Sequence, residues 1–241
     1  MNIAQKTVLI TGANRGIGRA LVTEALRRGA KRVYAGTRGA LDHTDERVTP
    51  LTLDVTNAEQ IEQAVRQVDG LDVLINNSGI APYDDLSDQA VIERTLAVNF
   101  FGMYKVSRAF LPKLKRSNGA LVNNLSLMSL APFPITPSYS ISKAAALSMT
   151  QSLRALVASE SVTVHGVFLG PVDTDMTRGF EIPKASPDSV AQGIFDGLAN
   201  GEEDIFPDPM SQSIAEGWRT GVAKEFERQY AGFVPQSTAA L

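Results

Sequence analysis

The chain is a mildly acidic polypeptide of 241 residues with 44% hydrophobic residues, 2 histidines and no cysteine. A net charge of -3 gives no basic surface for nucleic acid, and the missing cysteines exclude disulfides and thiolate chemistry. No linker divides the sequence, so we predict one domain over residues 1–241. No apolar stretch is long enough to span a membrane, so no membrane partner is expected. Two histidines are too few for a histidine-based metal site, and only a metal site made of carboxylates is left open.

The first predicted element is an apolar strand, Thr7–Ile10, which leads into the glycine-rich turn Thr11–Gly18 (TGANRGIG) and then into a helical pattern. Gly12 permits the tight turn, Gly16 lets the backbone approach a pyrophosphate, and Gly18 allows close packing of the helix. The N-terminus of that helix offers free N–H groups to the anion. The spacing departs from the commoner Gly-x-Gly-x-x-Gly fingerprint, so a turn without a ligand is the alternative, but its place after a strand favours nucleotide binding.

The same opening residues bear on location. Residues 1–10 contain one lysine and a short apolar run that leads directly into the turn, so we interpret them as a strand and not as a signal peptide. A cytoplasmic location is therefore expected.

Short β-rich runs alternate with helical patterns along the rest of the chain. This alternation predicts a doubly wound, Rossmann-like α/β fold of three layers, with a mostly parallel sheet of about seven strands and ligands at the carboxyl ends of the strands. The connection from Thr37 to Val48 is too short and polar for a full crossover helix, so one outer helix is expected to be missing. The further strand candidates are Arg32–Ala35, Val48–Leu53, Asp72–Ile75, Ala120–Asn123 and Val162–Leu169.

Tyr139 and Lys143 lie four residues apart within a predicted helix over about residues 138–158, so both side chains share one face. A phenol is a poor base at neutral pH unless a nearby positive charge lowers its pKa, and Lys143 can supply that charge. The pair is a candidate proton-transfer device, although a packed aromatic residue and a solvated lysine explain the same pattern. The apolar surface of this helix is wider than one stripe, which predicts burial on two sides.

Together with the glycine turn, this pair resembles the pattern of the short-chain dehydrogenase/reductase family, and the resemblance runs over nearly the whole chain. It implies hydride transfer between a nicotinamide and a small-molecule carbonyl or alcohol substrate, in a homodimer or homotetramer. One residue departs from the pattern, since Ser78 stands where the family usually has alanine. Further motifs follow in the family's order: Asn76–Gly79 (NNSG), Asn99, Ser126, which precedes Tyr139 by 13 residues, and Gly170–Thr174 (GPVDT).

The resemblance also implies roles at the reaction centre. Tyr139 would be the acid in reduction, and Lys143 would bind the nicotinamide ribose and stabilise the phenolate. Ser126 would donate a hydrogen bond to the substrate oxygen as its negative charge grows. The rival serine is Ser129, and the family's spacing to Tyr139 selects Ser126. Asn99 would hold a water of the proton relay behind Lys143, whereas its residue type alone indicates only a polar interruption of a helix.

The choice between NAD(H) and NADP(H) depends on the residue after the second predicted strand, where a carboxylate would bind the 2′-hydroxyl of the adenosine ribose. No acid stands there, and Arg38 and Arg15 could bind a 2′-phosphate, so we expect NADP(H) in preference to NAD(H), with plain solvation of both arginines as the alternative. Asp54 and Val55 resemble the family's adenine-contacting pair, although Asp54 could also cap a helix. The predicted cofactor-binding residues are Gly12, Asn14, Arg15, Gly16, Ile17, Gly18, Arg38, Asp54, Val55, Asn77, Gly79, Tyr139, Lys143, Val172 and Thr174.

Apolar residues near the C-terminus recur at every fourth position and predict one helix within a strand and helix segment over residues 204–241. We favour core or interface packing for this stripe over contact with a ligand. The stripe consists of Ile214, Trp218, Val222, Phe226 and Tyr230.

Further upstream, the run Leu127–Ile135 with Met176 and Phe180 predicts an apolar pocket for an uncharged carbonyl compound, with Met176 and Phe180 in a stretch that closes over it. Packing of these residues against one another is the alternative.

The leading functional interpretation is an NADPH-dependent carbonyl reductase that also works as an alcohol dehydrogenase. A cofactor-sensing protein without catalysis is the first alternative, but it has no need of Ser126, Tyr139 and Lys143 together. The second is a non-redox reaction on the same scaffold, such as epimerisation. The intact glycine turn disfavours a cofactor-free dehalogenase.

Overall fold

The computed structural model describes residues 1–41 and 43–234, so residues 235–241 of the predicted C-terminal segment lie outside the described residues. Seven strands are β1 (Thr7–Thr11), β2 (Arg32–Thr37), β3 (Val48–Thr52), β4 (Val73–Asn76), β5 (Ala120–Asn124), β6 (Thr163–Val167) and β7 (Asp204–Ile205). They form one sheet in the order β3-β2-β1-β4-β5-β6-β7, and every neighbouring pair is parallel. The predicted doubly wound α/β fold is confirmed. The strand order reverses between β1 and β4, which is where such sheets form their ligand crevice.

Helices cover both faces of the sheet, and the side chains of β1 show why. Val8 and Ile10 pack into a core with α1 and α6, whereas Leu9 between them packs into a second core with α2, α4 and α5. No described helix is both long and apolar enough to cross a membrane. The helices are α1 (Gly16–Arg27), α2 (Ala58–Gln67), α3 (Gln89–Leu96), α4 (Met103–Ser117), α5 (Pro137–Leu156), α6 (Pro187–Asn200), α7 (Pro209–Arg219) and α8 (Val222–Ala231).

The connection between β2 and β3 contains no helix in its described residues, as its length and polarity predict. The two strands nevertheless pair directly, with Val33 opposite Val48. No helix of the described connection covers Arg38, which directly follows β2, is exposed and lines the groove described below.

The prediction of a single C-terminal helix is wrong, because the chain divides it into α7 and α8. Gly221 lies between them in an extended conformation, and its N–H donates to the Trp218 carbonyl at 3.2 Å. Helix α8 then packs with its charged side inward. Lys224 is 2% exposed, and its Nζ lies 2.8 Å from Asp204 Oδ2 and 2.9 Å from Glu227 Oε2.

The apolar stripe consequently faces outward along most of its length. Trp218 does pack into the core, 5.3 Å from Phe168 between ring centroids, and its Nε1 donates to Asp204 at 2.7 Å. The prediction of core packing is thus confirmed for Trp218, whereas packing of the other four residues of the stripe at an interface stays a prediction. The exposed members of the stripe are Ile214, Val222, Phe226 and Tyr230.

Candidate active site

The glycine turn has little room for side chains. Gly12 and Gly16 have φ values of 66° and 50°, in the left-handed region that favours glycine. A Cβ on Gly18 would lie 2.0 Å from the Gly12 carbonyl oxygen, so no side chain fits there. Helix α1 begins at Gly16 without a side-chain cap from Arg15, which leaves its first N–H groups available to an anion.

Polar side chains join the carboxyl ends of β1, β4 and β5 beside this turn. Thr11 Oγ1 accepts from the backbone N–H groups of Asn77 at 2.9 Å and Ser78 at 3.0 Å. Asn77 Nδ2 donates to the Thr11 carbonyl, and Asn124 Nδ2 donates to Asn77 Oδ1, both at 3.0 Å. These bonds fix the strand ends where the order of the sheet reverses.

A groove of about 1370 Å³ runs from the glycine turn to α5 over these strand ends. Every predicted cofactor-binding residue lines it except Val172, which lines the adjoining cleft. The groove thus brings together residues that lie more than 160 positions apart in the sequence, from Gly12 to Thr174.

Asp54 faces this groove and does not cap a helix. Its Oδ1 accepts from the Thr56 N–H at 2.8 Å and from Thr56 Oγ1 at 2.7 Å. The cap of α2 is Asn57, whose Oδ1 accepts from the Gln60 N–H at 3.1 Å. The capping alternative for Asp54 is therefore wrong.

A smaller cleft of about 190 Å³ opens beside the groove, and Tyr139 lines both. Ser126 also lines the cleft. The rival Ser129 instead accepts, through its hydroxyl, a bond from the Ser126 N–H at 3.2 Å. The structure therefore places Ser126 and not Ser129 at the cleft. The predicted apolar pocket residues Met176 and Phe180 lie in the same lining.

The ammonium group of Lys143 is buried behind Tyr139. It donates to the Asn124 carbonyl at 2.7 Å and lies 5.6 Å from the centre of the Tyr139 ring. Burial lowers the pKa of Lys143 to about 8. Burial also raises the pKa of Tyr139 to about 12, although a hydrogen bond with the Ser126 hydroxyl lowers that pKa. The expected lowering of the tyrosine pKa by Lys143 is thus not found, because desolvation penalises both charged forms.

Asn99 lies in a π-helical segment, Ala97–Gly102, between α3 and α4. Such wide turns are rare and frequently occur at functional sites. Asn99 Oδ1 accepts from the Ile80 N–H at 2.9 Å, while Nδ2 donates to the Ile80 carbonyl at 2.8 Å and to Ser142 Oγ at 2.9 Å. Both amide protons are used, so the side chain ties the loop after β4 to α5. A water contact of this side chain is restricted to the second lone pair of Oδ1.

Arg15, predicted to bind a 2′-phosphate, has a carboxylate partner in this structure. Its Nη1 lies 3.2 Å from Asp175 Oδ2, and Arg178 pairs with the same carboxylate. The pair is exposed, and exposed pairs contribute little stability. A phosphate contact of Arg15 would therefore replace the bond to Asp175 at small cost.

Sequence reasoning missed several residues of the site. The Asn124 carbonyl holds Lys143, and Asn124 Oδ1 is buried without a hydrogen-bond partner in the described part of the chain. A signal existed, because two asparagines end the apolar strand β5. Tyr83 and Asp175 carried no comparable signal, since each stands in a loop among other polar or exposed residues.

Comparison with known proteins identifies the family. A sequence model described as short chain dehydrogenase matches residues 6–184. Estradiol 17-beta-dehydrogenase 2 of Mus musculus is 34% identical over 197 residues, which cover 75% of this chain and 51% of that protein. The 3-oxoacyl-(acyl-carrier-protein) reductase FabG of Vibrio cholerae is 31% identical over 190 residues, or 74% of this chain and 78% of that protein.

A solved structure extends the likeness to the whole fold. The crystal structure of a short chain dehydrogenase from Burkholderia cenocepacia in complex with NADP has a TM-score of 0.87 and 34% identity, covering 98% of this chain and 100% of that chain. By contrast, the chain spans about half the length of the mouse estradiol dehydrogenase. Since the family model matches most of the sequence, the chain belongs to the short chain dehydrogenase family.

Proposed function

We propose that this protein reduces an uncharged carbonyl compound with NADPH and oxidises the matching alcohol with NADP. The observation that carries the proposal is the position of Tyr139, which lines both the dinucleotide groove and the apolar cleft. Ser126 stands on the cleft side and Lys143 on the groove side. A phenol at this junction can reach the oxygen of a carbonyl group whose carbon faces the groove.

The residues of the groove fit a dinucleotide. A Cβ on Gly18 would collide with backbone, and the uncapped N-terminus of α1 can receive the pyrophosphate. The buried Oδ1 of Asn124, unpaired among the described residues, belongs to the same lining. When bound, the reduced nicotinamide supplies the hydride, so the carbonyl carbon gains two electrons and the dinucleotide is oxidised.

Three side chains of the protein donate the proton and stabilise the charges that form. Burial raises the pKa of Tyr139 to about 12, so the phenol keeps its proton at neutral pH and can donate it from Oη to the carbonyl oxygen. The Ser126 hydroxyl donates a second hydrogen bond to that oxygen as its charge develops. The ammonium of Lys143 then stabilises the phenolate that remains. Alcohol oxidation uses the same groups in reverse.

A panel of uncharged ketones and aldehydes tests the proposal. We expect at least one member to consume NADPH and to yield the alcohol in equal amount. Tight binding of NADPH without turnover of any compound would contradict the proposal and favour a cofactor sensor. Conversion of a chiral alcohol into its epimer without net consumption of NADPH would favour an epimerase.

The lowered pKa of Lys143 predicts a pH effect on cofactor binding. Lys143 is a cation below its pKa of about 8 and neutral above it, so attraction to the anionic cofactor should weaken as the pH rises through that value. We expect the Kd of NADPH, measured by calorimetry, to rise by about 3- to 10-fold between about pH 7 and about pH 9.5. The Lys143→Met variant should bind weakly with no such rise. An equal rise in that variant would assign the effect to another group.

We propose that the protein prefers NADP(H) to NAD(H) through Arg38, which directly follows β2 and lines the groove. Replacing Arg38 with aspartate would repel a 2′-phosphate and accept a bond from a 2′-hydroxyl. The NADPH:NADH ratio of kcat/KM should therefore fall by about 100-fold. Arg66→Asp, on the exposed side of α2, is the matched charge reversal and should leave the ratio unchanged. An unchanged ratio in Arg38→Asp would refute the assignment.

We also propose a cytoplasmic homodimer or homotetramer. Helix α5 leaves Ile141 exposed, and the π-helical segment packed against it exposes Phe101. Exposed apolar side chains on two elements that pack together are typical of subunit interfaces. Sedimentation equilibrium should give a dimer or tetramer mass and a smaller one for Ile141→Glu, whereas a smaller mass for Val222→Glu would place the interface at the exposed stripe of α7 and α8 instead. A monomeric unmodified chain would contradict this proposal.

A further inference from the structure

We propose that Tyr83, Phe133 and Phe180 form an aromatic clamp at the cleft, which selects substrates with one flat, uncharged ring close to the carbonyl group. The inference rests on the proposed function and names the substrate class of the same site. The three rings come from three loops, after β4, before α5 and before α6. The Phe180 centroid lies 5.8 Å from that of Tyr83 and 6.3 Å from that of Phe133.

These separations are typical of attractive aromatic pairs, and all three rings line the cleft. Phe180 makes both contacts, so it is the central member of the clamp. Its segment follows the short helical turn Asp175–Thr177 and is held to the rest of the protein partly by these rings. A flat ring in the cleft can extend this cluster by further edge or face contacts, which a saturated ring cannot reproduce.

Six hydroxyl groups line the cleft in the described part of the chain, and that of Tyr83 is largely exposed. Ser126 Oγ accepts from the Met128 N–H at 3.1 Å, while its own proton has only a long contact of 3.4 Å with the Leu169 carbonyl, which a substrate oxygen can replace. Tyr139 stands at the junction with the groove, so these two hydroxyls lie where the carbonyl oxygen would bind. Most of the remaining lining is apolar. The other three hydroxyls are those of Thr136, which donates to Met128 Sδ at 3.8 Å, and of Thr174 and Thr177, which donate to the Val172 carbonyl at 3.4 and 2.5 Å.

The uncharged, methionine-rich lining of the cleft also favours a neutral aromatic substrate. None of the described residues that line the cleft carries a charged side chain, so a substrate carboxylate or phosphate would lose hydration without gaining a counter-ion. Met128, Met176 and Met210, half of the chain's 6 methionines, are in the lining. Thioethers adapt to the shape of a ligand and make favourable contacts with aromatic rings.

The volume limits the number of rings. An apolar cavity of about 150 Å³ is sufficient for benzene, and this cleft measures about 190 Å³. It therefore encloses one six-membered ring with a short carbonyl chain. A fused multi-ring ketone would have to protrude into solvent or displace Phe180.

Three ketones of matched reactivity test the clamp: phenylacetone, cyclohexylacetone and phenylacetone with a para-carboxylate. In none of them is the ring conjugated with the carbonyl, so differences report binding and orientation. We expect kcat/KM for phenylacetone to exceed that for cyclohexylacetone by about tenfold. We expect the carboxylate to be at least about 100-fold poorer than phenylacetone.

Phe180→Leu removes the central ring and keeps an apolar side chain. It should reduce the phenyl:cyclohexyl ratio to about 1 to 2, because the lost contacts are specific to flat rings. Phe226→Leu on α8 makes the same change far from the cleft and should keep the ratio. Calorimetric binding of both neutral ketones to NADPH-loaded Tyr139→Phe, in which turnover is blocked, should show the same preference.

These experiments distinguish failure of the aromatic clamp from failure of the proposed ketone reduction. A ratio near 1 in the unmodified enzyme, a ratio that Phe180→Leu leaves unchanged, or good turnover of the carboxylate would overturn the clamp while leaving ketone reduction intact. If no ketone is reduced, the proposed function fails, and the calorimetric preference between the two rings still decides whether the clamp exists.

Discussion

Replacing Tyr139 with phenylalanine should reduce kcat for ketone reduction by about 1000-fold while the Kd of NADPH changes by less than about twofold. The change removes one hydroxyl at the junction of groove and cleft and keeps the ring in place. No other described group at this junction is suited to deliver the proton, since Ser126 is a weak acid and Lys143 donates to the Asn124 carbonyl at 2.7 Å. Steady-state kinetics with the best ketone of the panel and calorimetric titration of NADPH give the two numbers.

The matched control is Tyr230→Phe, which deletes the same hydroxyl from an exposed residue of α8. It should retain full activity. Equal activity of Tyr139→Phe and the unmodified protein would remove the phenol from the mechanism. A loss of NADPH affinity as large as the loss of kcat would make Tyr139 a binding residue.

Gly18→Ala should abolish measurable cofactor binding, which we expect as an increase of at least about 100-fold in the Kd of NADPH. The added Cβ would lie 2.0 Å from the Gly12 carbonyl oxygen and 2.8 Å from Asn77 Nδ2, so the turn or the start of α1 has to move. Either movement displaces the N–H groups that would face the pyrophosphate. Calorimetry measures the affinity, and circular dichroism checks that the protein stays folded.

Gly217→Ala is the control for this substitution, because a Cβ at that position of α7 would meet no described atom within 4 Å beyond the adjacent residues and the backbone of the helix itself. It should keep cofactor affinity and increase the free energy of unfolding by about 0.5–1 kcal/mol, as expected for alanine in place of glycine in a helix. Unchanged NADPH binding in Gly18→Ala would show that the turn does not hold the cofactor.

Much of the groove is predictable from local sequence. Each glycine of the first turn has its own backbone reason, and parallel strands bring their carboxyl ends to one edge of the sheet wherever they stand in the chain. This is why Gly12, Asn77 and Thr174 meet although they are far apart in sequence. The family's spacing also separated Ser126 from Ser129, which the residue types alone could not do.

The errors arise where tertiary contacts decide. The four-residue period from Ile214 to Tyr230 shows that a stripe exists but not which side of α8 faces the protein. Lys224 is buried beside counter-ions that include Glu227 of the same helix and the distant Asp204, and no local pattern shows the pairing with Asp204. The break at Gly221, by contrast, has a local signal, because glycine weakens a helix interior.

The pKa of Tyr139 was predicted in the wrong direction for a related reason. The four-residue spacing places Lys143 near the phenol, and a charge pair alone would lower the tyrosine pKa. The depth of burial is a property of the folded chain, and here it raises the tyrosine pKa to about 12 although the hydrogen bond with Ser126 lowers it. The aromatic clamp was also invisible, since its rings come from three loops whose approach depends on the whole fold.

Transfer of deuterium from NADPH that carries deuterium at both C4 positions to a ketone tests the central claim most directly, namely that the Tyr139 cleft and the dinucleotide groove form one reaction site. Mass spectrometry should find one deuterium on the carbinol carbon of the alcohol, and Tyr139→Phe should slow its appearance about 1000-fold. Alcohol formed without deuterium at that carbon, or no alcohol from any ketone despite bound NADPH, would contradict the account.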